Sequence, residues 1–300
     1  MFKKTIRILS WGGVGDVMLS TPAVAALKKK YPSSRIIVYS HWWLHGEVFI
    51  NNPHVHRFKV VPRWVYLVLV LLNRYRIIRM YDPKYKGVYP SLFYNKSVIE
   101  IIAELYNVTL TDQKIQIYLS REEEAKAKEM LAPYENPVII HVHSRSCKNE
   151  EWFADKWEEL VRITPGCTFI QLGLMDEVSI KGAVDMRGTG FREALALVKH
   201  SRSFIGVNSS FSHATNAFDI PGVVLFGASN PEIWGHDVNI NLYKRVRCAP
   251  CLEWLYGRRC PYGRHCMTSI SAEEVKSALL QQMERHTINN IPNNFNRSLC

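Results

Sequence analysis

No stretch of this 300-residue sequence approaches the roughly 20 consecutive apolar residues that cross a bilayer. The longest candidate, Trp64 to Leu72, lies between Arg63 and Asn73. It is expected to be a buried helix or strand, with contact at a membrane surface as the alternative. The opening Met1-Phe2-Lys3-Lys4 lacks the apolar core and small-residue cleavage site of a signal peptide. A cytoplasmic placement is therefore expected, at most with peripheral contact at the inner face of the membrane. Acidic residues are scarce: 27 Asp and Glu against 38 Lys and Arg leave a net charge of +11. That balance favours anionic partners such as nucleotides, lipid headgroups, phosphorylated glycolipids or nucleic acid. No aromatic-rich RNA-binding signature accompanies the dispersed basic residues, so nucleic acid is the least supported of these. No Asp-x-Asp occurs, so a catalytic metal bridging a diphosphate is not expected, and no G-x-x-x-x-G-K-[ST] phosphate loop exists.

What is present is a globular composition, 47% hydrophobic and 22% charged, long enough for two ordinary domains. Apolar runs alternate with helical patterns, which predicts α/β layers with parallel sheets. Strands are expected at Ile6 to Trp11, Arg35 to Ser40, Pro137 to Val142, Thr168 to Leu172, Ser203 to Val207 and Gly222 to Phe226. Helices are expected up to Lys30, over Ser97 to Tyr106, after the capping box Ser120-Arg121-Glu122-Glu123, over Phe191 to Lys199 and over Ser212 to Phe218. Asp155 and Ser271 are expected to cap two more. Pro22 is expected either in the first turn of the first helix or at a kink. Residues 41–95 carry no readable pattern. The boundaries drawn are 1–135 for the first domain, 136–285 for the second, and a flexible tail over 286–300.

The first strand runs into Gly12-Gly13-Val14-Gly15-Asp16. A dinucleotide fingerprint fails here, because there is no third glycine and no carboxylate ends the second strand. What remains is a tight turn that places Asp16 at the carboxyl end of a strand, where open α/β folds bind ligands. Asp16 there either accepts a proton from a substrate hydroxyl or caps the following helix. In the second half, Asn208-Ser209-Ser210 links a strand to a helix start, a ready anion site to which His213 can add a hydrogen bond. The alternative is an ordinary capped turn with His213 incidental. Four of the seven cysteines cluster as Cys248-x2-Cys251-x8-Cys260-x5-Cys266. In a cytosolic chain such a cluster points to a four-thiolate metal site, or else to reduced cysteines in a basic loop.

The opening Ile8 to Pro22 resembles the G-G-x-G-D, apolar pair, T-P motif of glycosyltransferase family 9, which contains the lipopolysaccharide and autotransporter heptosyltransferases. Pro221 to Gly235 and the Cys248 to Met267 stretch are similar to two further motifs of that family. The resemblance implies a GT-B fold, two Rossmann-like domains facing a central cleft, with the acceptor on the amino-terminal one. It also implies Asp16 as general base, and donor contacts at Gly13, Gly15, Asn208, Ser209, Ser210 and His213. Asn208 and Ser210 depart from the family's usual Asp and Gly. His141 to Lys148 looks like a strand-end loop of the family, which adds Arg145 and Lys148, and Gly173 to Glu177 adds Glu177 toward the donor ribose. Members with iron bound by four cysteines imply the same for Cys248, Cys251, Cys260 and Cys266.

The function expected is inverting transfer of a heptose, or a related sugar, from an ADP-linked donor to a hydroxyl of a glycan, glycolipid or protein. The alternative from another class is a catalytically silent module of the same fold that binds a glycan or nucleotide.

Overall fold

The computed structural model describes residues 4–83, 95–255 and 257–289. Two parallel sheets form. The first has the order β1 (Thr5–Leu9), β2 (Arg35–Ser40), β3 (Arg57–Val60). The second has the order β6-β5-β4-β7-β8-β9, from β4 (Pro137–His141), β5 (Thr168–Gln171), β6 (Val184–Asp185), β7 (Ser203–Val207), β8 (Gly222–Phe226) and β9 (Asn239–Tyr243). That is the doubly wound order, with its reversal between β4 and β7; ligands of such sheets lie outside the carboxyl ends at the reversal. In the first sheet Tyr81 bridges Ile8 on the side of β1 away from β2, so the same kind of crevice opens beyond Leu9.

Strands covered on both faces need apolar residues on both, and the second sheet has them. Ile139, Phe204, Val224 and Phe226 face one core, shared with Ile8, Val17 and Val38 of the first half. Val138, Ile140, Ile205, Val223 and Leu225 face the other, with Trp157, Met267 and Val275. A three-stranded and a six-stranded parallel sheet, in contact through the turns that follow β1 and β7, fit the GT-B architecture expected.

Helix α1 (Val14–Lys30) runs unbroken through Pro22. Proline lacks the N–H that would reach the carbonyl of Met18. The Thr21 hydroxyl donates to that carbonyl instead, at 2.7 Å, and also accepts from the amide of Gln116 at 2.8 Å. The Thr-Pro pair is thus one device: Pro22 frees a carbonyl, and Thr21 satisfies it while tying α1 to the segment that leads to the second half.

Several expectations change. Asp155 caps nothing: its helix starts at Ala154, with Asp155 in the first turn. The Ser120 and Ser271 caps form as expected. Residues 41–83 contain a short 3-10 helix at Trp43–Val48, β3 and helix α2 (Arg63–Arg74). Only Tyr66 of α2 is fully buried, so Trp64 to Leu72 is not the buried element expected. The last helix, Ala272–Asn289, extends into the segment drawn as a tail, of which 290–300 lie outside the described residues.

Candidate functional site

The glycine turn is built around Asp16. The carboxylate accepts a hydrogen bond from the Gly13 amide at 2.7 Å, so the capping contact does form. Gly12 has φ +80, and a Cβ there would fall 2.3 Å from Asp16 Oδ2. Both the left-handed backbone and the space for the carboxylate require glycine. A Cβ on Gly15 would lie 3.1 Å from the His213 ring and 3.6 Å from the Ser210 Cα. Two motifs almost 200 residues apart therefore meet face to face, and Gly15 is what lets them approach.

A buried histidine fixes the turn from behind. His45 Nε2 lies 3.2 Å from the Gly12 carbonyl, which can only accept, so the proton is on Nε2. Its Nδ1 then lies 2.9 Å from both the Ser10 and Ser40 hydroxyls and accepts from Ser10, while Ser40 donates to the Trp42 carbonyl. Burial lowers the His45 pKa to about 4, so the ring stays neutral at pH 7. The Tyr66 hydroxyl donates to the Ser10 carbonyl at 2.5 Å. Sequence reading missed His45, because nothing local ties position 45 to position 12.

On the other side, β7 ends at Asn208-Ser209-Ser210 and the helix Ser210–Phe218 begins. Ser212 Oγ accepts from the Ser209 amide and donates to the Ser209 carbonyl, which shapes the turn. The amides of Ser210 and Phe211 have, by their position, no acceptor within the helix. His213 is buried, and its Nδ1 is 2.9 Å from His236 Nε2. Burial drives the His213 pKa well below its ordinary value and that of His236 to about 4, so both rings are neutral. His236 is a second residue the sequence reading passed over, although it directly follows the Trp234-Gly235 motif.

At the sheet reversal, His141 from β4 meets Ser209 from beyond β7, Nδ1 to Oγ at 3.0 Å. Its Nε2 stands 4.0 Å from Glu177 Oε2, and burial pushes the His141 pKa to about 3. The Glu177 carboxyl folds back over Gly173, where a Cβ would lie 2.1 Å from Oε2, and burial raises its pKa. Glu177 Oε2 and Asn208 Oδ1 are buried without a hydrogen-bond partner, while Asn208 Nδ2 donates to Ser229 at 3.1 Å. Unpaired buried acceptors at a strand reversal are places where a ligand donor would be satisfied. Glu150, also missed, is wholly buried and accepts from the Gly227 and Ser229 amides at 2.8 and 2.5 Å. It fixes the loop that presents Ser229 to Asn208. Arg145 and Lys148 are exposed, and neither side chain has a hydrogen-bond or ion-pair partner among the described residues. The structure thus gathers Gly13, Gly15, Asp16, Ser210 and His213 in one place and Glu177, Asn208 and Ser209 beside it, and links neither basic side chain to them.

The cysteine loop folds against this assembly. Asn149 Oδ1 accepts from the Cys260 amide, and Asn149 Nδ2 donates to the Arg258 carbonyl. Cys251 and Cys266 are buried; burial, with repulsion from neighbouring thiolates, pushes the Cys251 pKa up to about 12. Burial and the Glu150 charge push Cys266 to about 11. Among the described residues no group of three or more His, Cys, Asp or Glu is arranged to hold a metal ion. The expected four-thiolate site is therefore not assembled here, although the four side chains are close enough to act on one another's ionisation.

The profile described as glycosyltransferase family 9 (heptosyltransferase) matches residues 186–255. The chain is 23% identical over 280 residues to lipopolysaccharide heptosyltransferase 3 of Escherichia coli K12, covering 73% of this chain and 81% of that protein. A glycosyltransferase family 9 structure from Veillonella parvula superposes with a TM-score of 0.72 at 15% identity, covering 94% of this chain and 97% of that one. The dodecameric iron-containing heptosyltransferase TibC of enterotoxigenic E. coli, in complex with ADP-D-beta-D-heptose, superposes with a TM-score of 0.68 at 16% identity. That likeness covers 95% of this chain and 76% of TibC.

Proposed function

We propose that the chain is a family 9 glycosyltransferase, of the heptosyltransferase kind whose profile matches residues 186–255, and that it moves a heptose, or a related sugar, from an ADP-linked donor to an acceptor hydroxyl with inversion. The observation that carries this reading is the meeting of Asp16 and the Ser210 helix start across Gly15. The turn that carries a proton acceptor and the helix start that offers an anion site are thereby brought side by side. Asp16 accepts the proton of the acceptor hydroxyl, and the oxygen attacks the anomeric carbon. The bond from that carbon to the diphosphate breaks on the opposite side, and ADP leaves with the electron pair. The first-turn amides and a neutral His213 stabilise the departing charge. His236, donating to Nδ1 of His213, would keep the His213 proton on Nε2, the nitrogen that faces Gly15. Glu177 and Asn208 offer their unpaired oxygens to donor hydroxyls.

Replacing His213 by Ala is expected to weaken ADP binding roughly 10- to 100-fold, the loss of one hydrogen bond to a charged group. Calorimetric titration of wild type and variant, each checked by its melting curve, measures this. Unchanged affinity in a folded variant would move the diphosphate site elsewhere.

We further infer that Cys248, Cys251, Cys260 and Cys266 take one iron or zinc with a structural role. Support comes from four cysteines near enough that their thiolates would repel one another unless a cation held them, and from the iron-containing relative of the same fold. Replacing Cys251 by Ser should lower metal content and melting temperature together. Elemental analysis after anaerobic purification checks it; a folded, active, metal-free wild type would defeat the assignment.

A further inference from the structure

Helix α2 turns its apolar side outward. Trp64, Leu67, Val68 and Leu71 recur at three- and four-residue spacing and are 69, 57, 45 and 51% exposed. Tyr75 and Ile77 continue the patch beyond the helix. Exposed apolar area of this extent marks a contact surface. The segment that carries it is cationic. From Val48 to Tyr81 there is no Asp or Glu, whereas Arg57, Lys59, Arg63, Arg74, Arg76 and Arg79 fall in that stretch. All of these but Lys59 are exposed.

We propose that α2 docks the protein on an anionic phospholipid surface, with the apolar stripe at the headgroup boundary and the arginines against lipid phosphates. The charge chooses this occupant. A second copy of the chain would bring two such basic segments together, which like-charge repulsion opposes. The mode is lying on the surface rather than crossing it. Twelve residues make a helix about 18 Å long, short of a bilayer core. No helix among the described residues is long and apolar enough to cross a membrane. The docked face is also joined to the site. Tyr66, on the inner side of α2, donates to the Ser10 carbonyl just before the glycine turn. Docking would therefore set the mouth of the first sheet at the lipid surface, where an acceptor carried on a lipid could reach Asp16.

The test uses the full chain and vesicles of phosphatidylglycerol with phosphatidylethanolamine, compared with phosphatidylcholine alone. Co-sedimentation should show binding to the anionic vesicles that falls steeply with salt. The double variant Leu67→Gln with Leu71→Gln should partition at least about tenfold more weakly. The pair Arg74→Gln with Arg76→Gln should bind several-fold more weakly and with less salt dependence. All these side chains are exposed, so the melting temperature and ADP affinity should stay unchanged, which separates lost docking from lost folding. Equal binding to both lipid compositions, or vesicle binding indifferent to the variants, would overturn the proposal. So would a failure to bind vesicles combined with self-association that the leucine variant abolishes, which would make the face a protein interface.

Discussion

Replacing Asp16 by Asn should cut sugar transfer by roughly 10²- to 10⁴-fold, the usual cost of losing a general base. The structure makes this a clean substitution. Asparagine keeps an oxygen to accept the Gly13 amide, so the cap at the start of α1 survives. It also fits the space that Gly12 leaves open. The melting temperature should therefore move little and donor affinity should hold, while turnover falls. The readout is ADP release in the presence of donor and acceptor, beside calorimetric donor binding. Turnover within a few-fold of wild type would reduce Asp16 to the capping role it visibly has and would remove the base from the account.

Stability should respond most to Arg192. This buried guanidinium, on the helix Phe191–His200 of the second half, donates to both Glu123 oxygens and to the carbonyls of Glu47 and Tyr118. It joins the second half to the 3-10 helix and the connecting segment of the first. Arg192→Met should cost about 3 kcal/mol, the low end for a broken buried pair, because the Glu123 side chain is 25% exposed. For a chain of this length that is roughly 5 °C in Tm. The pH dependence has a sign. The hydrogen bond from Arg192 holds the Glu123 carboxyl below its ordinary range. A depressed folded-state pKa gives stability that is present above the unfolded value and lost as pH falls through the folded one. The Tm gap between wild type and variant should thus be full at pH 7 and narrow below about pH 4. A gap that is constant with pH, or absent at pH 7, would show that the pair does not couple the halves.

Much of the fold was legible because its signals are local. Apolar runs on strands covered on both faces stand out, as β7 and β8 did to the residue. What escaped has weak local signals. β6 is only two residues long, and β9 reads Asn-Ile-Asn-Leu-Tyr, whose asparagines interrupt the apolar run. The apolar run of α2 reads as a core element, with membrane-surface contact as the alternative, because such a run does not say which way it faces. At the site, the glycines and Asp16 could be found because backbone demands write themselves into sequence. His45, Glu150 and His236 could not, since each acts through at least one partner 23 to 79 residues away. Arg145 and Lys148 show the converse: both are exposed with no side-chain partner among the described residues, so the fold itself assigns them no role.

On the proposed function, the donor diphosphate sits at the start of the helix Ser210–Phe218, opposite Asp16. A crystal structure with ADP-heptose, or a non-transferable analogue of it, tests this most directly. The diphosphate oxygens should lie within hydrogen-bond distance of the Ser210 amide and His213 Nε2, with the anomeric carbon on the Asp16 side of Gly15. A diphosphate bound instead in the surface cavity beside Lys28 and Lys29, or a Ser210 turn left empty at saturating donor, would contradict it.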